Sequence, residues 1–140
     1  MHDGGWWIPP YHGELMPLAR MLEQWKVYSD WRAKGEYAVG ENWEPRRIEG
    51  PIKPVFWNQL RVYVTDNSGN HLTLDLDPPA GGRYGQVLYH SHEVGPTQVV
   101  APNWATFLGN LAEDLESGKY VYFEHDSTLE PLEEAEREEL

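Results

Sequence analysis

The chain has 140 residues, a net charge of −12 from 23 acidic and 11 basic side chains, and no cysteine. Disulfides, thiolate metal sites and a Cys nucleophile are therefore excluded, and so acidic a surface repels phosphate backbones, which argues against nucleic-acid binding. Apolar residues make up 40%, including seven Trp and eight Tyr, enough for one core and one domain.

Residues 2–10 are rich in Gly, Trp and Pro, and Trp6-Trp7-Ile8 reads as a short edge strand or an extended arm. A helix is predicted from near Pro17, because a missing N–H costs nothing in a first turn. Leu18, Met21, Leu22, Trp25 and Tyr28 recur at helical spacing as one apolar stripe, which Trp31 extends and Gly35 is placed to cap. Residues 36–51 have no period and read as a loop. The aromatic run Pro54-Val55-Phe56-Trp57-Asn58 is expected to pack beneath a sheet.

That sheet is centred on residues 53–87, where two alternating runs flank Asn67-Ser68-Gly69-Asn70, a hairpin turn signal. In the second run Leu72, Leu74 and Leu76 fall on one face, and His71, Thr73, Asp75 and Asp77 on the other. Pro78-Pro79-Ala80-Gly81-Gly82 ends it. Residues 85–92 predict a third strand, antiparallel to the second, with Val87, Tyr89 and Ser91 opposite Gln86, Leu88, His90 and His92. Residues 97–101 form another short strand. Asn103 is placed to cap a helix carrying Trp104, Phe107, Leu108, Leu111 and Leu115, which Gly118 stops. Tyr120-Val121-Tyr122-Phe123 closes the domain. The class is α+β: a largely antiparallel sheet of about four to six strands with two amphipathic helices. One domain spans 1–126, and 127–140 is expected to be an acidic, disordered tail. No run reaches the roughly 20 apolar residues that span a bilayer, and the start does not resemble a signal peptide, so a cytoplasmic protein is expected.

Three constellations could carry chemistry. His90 and His92 form an H-x-H pair on one strand face, near Asp75, Asp77 and His71 and beside Glu93, a donor set suited to Zn or non-haem Fe; a small metal-dependent enzyme using His90, His92 and Asp75 is the alternative reading. Asp75 and Asp77, about 7 Å apart at i, i+2 on a strand, match a general acid/base pair, although Asp before Pro-Pro commonly caps a turn. Gly81-Gly82-Arg83-Tyr84-Gly85 leads into a strand, not a helix, and so is no phosphate cradle. Ser91 has no nucleophile elbow around it. The expectation is a protein that is not an enzyme and needs no cofactor.

Several segments together are similar to one family. They are Lys53-Pro54-Val55-Phe56-Trp57-Asn58, Asp66-Asn67-Ser68-Gly69-Asn70-His71-Leu72, Asp75-Leu76-Asp77-Pro78 and Gly81-Gly82-Arg83-Tyr84-Gly85-Gln86-Val87. Val100-Ala101-Pro102-Asn103-Trp104, the helix after it and His2-Asp3-Gly4-Gly5 add to the pattern. In this order they resemble the SUKH superfamily, in its branch typified by fungal cell-wall-assembly regulators of the Smi/Knr type. The chain departs from the branch in starting without the helices that usually precede the His2 segment, and in reading Leu60-Arg61-Val62-Tyr63 where Trp, Ile and Pro are common. The resemblance implies a binding module without catalytic residues, an immunity or regulatory protein. Its expected partner is another protein, such as a basic toxin domain, to which an acidic surface would be drawn. The residues expected to meet that partner are the exposed polar face and its loop: Asp66, Asn70, His71, Asp75, Asp77, Arg83, Tyr84 and Gln86. The competing reading is that Asp75, Asp77 and Gln86 only fix the loop by hydrogen bonds.

Overall fold

The computed structural model describes residues 6–8, 13–35, 48–123 and 128–131. Its core is a four-stranded antiparallel sheet in the order β3 (Arg61–Tyr63), β5 (His71–Asp75), β6 (Gln86–Ser91), β7 (Gly95–Ala101). A second, three-stranded sheet joins β1 (Trp6–Ile8), β2 (Gly13–Leu15) and β4 (Thr65–Asp66). The two sheets meet at Val64, between β3 and β4. Its N–H donates to the Leu72 carbonyl at 2.9 Å, and its carbonyl accepts from the Met16 N–H at 2.9 Å. One extended run thus changes sheets without leaving a backbone group unpaired at the switch.

Alternation places β5 in register with β6. His71 stands opposite His90, Thr73 opposite Leu88 and Asp75 opposite Gln86. The β4–β5 hairpin closes through paired Asn67 and Asn70 backbone bonds, with Ser68 and Gly69 both at positive φ (54° and 93°). This is the left-handed geometry that two-residue hairpins require. The α+β class and the antiparallel β5–β6 pair agree with the expectation.

Each face of the sheet carries a helix. α2 (Trp104–Glu116) starts at Asn103, whose side chain accepts from the Thr106 N–H at 2.7 Å. It lays Phe107 on Leu72, Val87 and Ala101. α1 (Leu18–Lys34) follows Pro17 directly and ends at Gly35, φ 67°. It lies over Phe56, Trp57 and Tyr63.

The α1 stripe is narrower than its spacing suggests. Met21, Trp25 and Tyr28 pack inward, whereas Leu18 is 80% exposed and Leu22 52%. At 100° per residue, Leu18 and Leu22 lie to one side of the line through Met21 and Tyr28, beyond the reach of the aromatic layer. Leu108 and Leu115 of α2 are likewise exposed.

β8 (Tyr120–Phe123) pairs with β9 (Thr128–Pro131). Strand β9 thus occupies part of the segment expected to be a disordered tail. The rest of that tail, the His2 segment and most of the 36–51 loop lie outside the described residues. No helix among the described residues is long and apolar enough to cross a membrane.

Candidate functional site

The polar face of β5 and β6 does not point to solvent. His71, Asp75 and Gln86 are 2%, 0% and 2% exposed, because residues 53–58 fold across that face with Phe56 and Trp57 inward and α1 behind them. The expectation that these three residues lie on an exposed face is therefore corrected: they are interior positions. Alternation assigned their face correctly but could not reveal what covers it.

Arg61, which the sequence reading did not single out, organises the cover. It is 1% exposed, and its guanidinium donates to the carbonyls of Lys53, at 2.7 Å, and of Val55 and Phe56. Its Nε lies 4.0 Å from Asp75 Oδ1, near enough for charge attraction but beyond a hydrogen bond. Burial pulls the Arg61 pKa down, against the neighbouring Asp75 charge. A signal was available: Arg61 shares a strand face with Tyr63 and, in register, stands opposite Asp75.

Asp75 and Gln86 anchor the following loop. Asp75 Oδ2 accepts from Gln86 Nε2 at 2.9 Å, and Oδ1 accepts from the Asp77 N–H at 3.0 Å. Gln86 Nε2 also donates to the Pro51 carbonyl, and its Oε1 accepts from the Arg83 N–H. Gly85 N–H donates to the Asp75 carbonyl at 2.8 Å. Asp77 is held by Lys53 Nζ at 2.6 Å and Asn58 Nδ2 at 3.3 Å. Both carboxylates of the suggested acid/base pair are thus engaged in capping and loop closure. Gly82 fits tightly here, since a Cβ would stand 2.8 Å from Pro78 Cβ and 3.0 Å from the Pro51 carbonyl oxygen.

At the other end of the same layer, Tyr63 joins the two buried histidines. Its ring stacks on His71 at 3.9 Å, and its hydroxyl lies 3.1 Å from His90 Nε2. His71 Nδ1 reaches the Thr65 carbonyl at 2.6 Å, so that nitrogen carries the proton. Phe56 and Tyr28 close the cluster edge-on. Burial lowers the pKa of both histidines, that of His90 far below its ordinary value, and raises that of Tyr63 well above.

The alternative metal set does not converge. His90 is buried beside Phe56 and Tyr63, while His92 lies beyond the end of β6, exposed, against Asn70 Oδ1 at 3.0 Å. Asp75 lies at the far end of β5, opposite Gln86 and not His90. Among the described residues, no group of three or more His, Asp or Glu is arranged to hold a metal ion.

The remaining expected contacts lie at or near the surface. Arg83 is exposed and Tyr84 is 74% exposed, both on the anchored loop. Asp66 pairs with Arg20 at 3.0 Å and, with Asn70, borders the hairpin turn. Beside Arg83 runs an open cleft of about 320 Å³ bounded by Pro51, Gly81, Val99, Val100 and Pro102, with Gln86 in its lining.

Comparison with known proteins adds a family. A model described as "SMI1 / KNR4 family (SUKH-1)" matches residues 1–110. The chain is 37% identical over 135 residues to a KNR4/SMI1 homolog of Yarrowia lipolytica, covering 89% of this chain and 17% of that one. It is 34% identical over 86 residues to the cell wall assembly regulator SMI1 of Saccharomyces cerevisiae (56% of this chain, 17% of that one). With a KNR4/SMI1 homolog of Kluyveromyces lactis it shares 48% over 58 residues (41% and 11%). The chain thus spans less than a fifth of the length of these relatives.

Proposed function

The chain belongs to the SMI1/KNR4 (SUKH-1) family, and from that membership we propose that it is a non-catalytic regulatory domain acting by binding another protein. The observation that carries this reading is the loop over residues 77–86. Its backbone is tied to buried Asp75 and Gln86, yet it holds Arg83 and Tyr84 in solvent. A loop immobilised before binding loses little entropy on docking, and exposed Arg and Tyr are residue types that dominate binding energy. Asp77 extends the loop surface, with Asp75 and Gln86 positioning it from within, while Asp66 and Asn70 form a second contact region on the hairpin at the other end of β5, backed by His71.

The net charge of −12 favours a partner with a basic surface and speeds the encounter. A relative named as a cell wall assembly regulator supports regulation of cell-wall assembly as the process. Neutralisation of a basic toxin domain is the narrower form of the same binding function. The cytoplasm is the compartment this reading assigns, in keeping with the absence of cysteine.

The test is native mass spectrometry of the protein recovered from its own host under gentle conditions. A stoichiometric protein partner, released by Tyr84→Ala while the melting temperature holds, is the expected result. Recovery without any partner, or with stoichiometric Zn or Fe lost on His90→Ala, would overturn the reading.

A further inference from the structure

We propose that the cleft between the 81–86 loop and the end of β7 receives an extended segment of the partner, one that carries a carboxylate next to a small apolar side chain. The inference rests on the interaction-domain reading and assigns it a contact chemistry.

Three features of the cleft select this occupant. Val99, Val100, Pro51 and Pro102 supply the apolar part of its walls. Of the two polar side chains in the lining, Arg83 and Gln86, the second is already satisfied, its amide donating to Asp75 and Pro51 and its oxygen accepting from the Arg83 N–H. An apolar side chain can therefore enter without stranding the Gln86 amide. The volume of about 320 Å³ lies at the low end of pockets that enclose small molecules (~300–1,000 Å³), and the open form suits side chains hung from a strand.

Arg83 sets the charge. Lys53, Arg20, Lys34 and Lys119 are each paired with an aspartate, and buried Arg61 lies near Asp75. Among the described residues Arg83 and Lys26 make no ion pair, and of these two Arg83 lines the cleft, its backbone fixed from both sides by Gln86. A guanidinium on a fixed base is suited to two parallel bonds to a carboxylate. The field of the whole chain draws basic partners, but at this rim a lysine or arginine would be repelled, so Arg83 selects the register in which the partner docks.

The experiment is selection of a phage-displayed library of random dodecapeptides on the full chain, in parallel with Arg83→Glu and Val99→Asp. The expected outcome is enrichment of peptides with Asp or Glu within two residues of Val, Leu, Ile or Pro. A synthetic copy should lose about tenfold or more in affinity on either substitution, as a hot-spot contact does. Unchanged thermal stability of Arg83→Glu separates this loss from misfolding. No enrichment, or enriched peptides that bind Arg83→Glu equally well, would overturn the cleft. Peptides lost on Asp66→Arg but retained by Arg83→Glu would also overturn it, while leaving the interaction-domain reading intact on the hairpin surface.

Discussion

Asp75 and Gln86 face each other across β5 and β6 and join at 2.9 Å inside the protein, 0% and 2% exposed. This bond links the strand core to the two segments that carry the surface. Gln86 holds Pro51 and Arg83, and Asp75 holds Asp77 and lies within 4.0 Å of Arg61.

Asp75→Asn removes the charge that Arg61 faces in the interior. Breaking a buried pair in this way costs about 3–5 kcal/mol. Urea denaturation should show a loss of this size. A change below about 1 kcal/mol would mean that Arg61 is satisfied by its carbonyl partners alone.

Stability should depend on pH through His71 and His90. Both have folded pKa values below the ordinary 6.5, so the unfolded chain binds protons below pH 6.5 that the folded chain refuses. Their stabilisation is complete above pH 6.5 and is lost as pH falls below it, with a slope of up to about 1.4 kcal/mol per pH unit for each group. Melting temperature should fall from pH 7 to pH 5.5, and less steeply in His90→Gln. A flat profile in the parent protein would contradict the buried, neutral assignment.

Leu72 and Leu18 should behave oppositely although both are leucines in regular structure. Leu72 is 0% exposed against Phe107 and Val87, so Leu72→Ala should cost about 2–5 kcal/mol. Leu18 is 80% exposed, and Leu18→Lys should change stability by no more than about 0.5 kcal/mol. Thermal denaturation of the two variants decides whether α1 docks along its Met21–Tyr28 line.

Gly82→Ala should test how rigidly the loop is held. The new methyl would meet Pro78 and the Pro51 carbonyl at distances that require movement. We expect a loss of about 1–3 kcal/mol, the cost of overpacking, together with weaker partner binding as Arg83 shifts. Stability loss with unchanged binding would place the contact surface elsewhere.

Much of the fold follows from local pattern. The alternation of residues 71–76, the Asn67–Asn70 turn signal, Asn103 as a helix cap and Gly35 as a helix end all act through near neighbours, and each appears as expected. Which side chains share a strand face is equally local, and His71, Thr73 and Asp75 do share one. What covers that face is not. Polar residues at every second position read as solvent-facing unless a distant segment supplies their partners. Here Phe56 and Trp57, brought over the face by the 53–58 run, and Arg61 from neighbouring strand β3 turn an apparent binding surface into a buried network. The turn that begins at His92 parts it from His90, and long-range packing leaves Leu18 outside the core. The sequence by itself determined the two helices and the strands of the central sheet, with their order and faces, because these depend on backbone preference and side-chain period. It did not determine β2 and β9, whose few residues carry no period of their own. Only the tertiary structure decided which polar groups are satisfied inside and which remain to meet a partner, because burial depends on contacts between segments far apart in the chain.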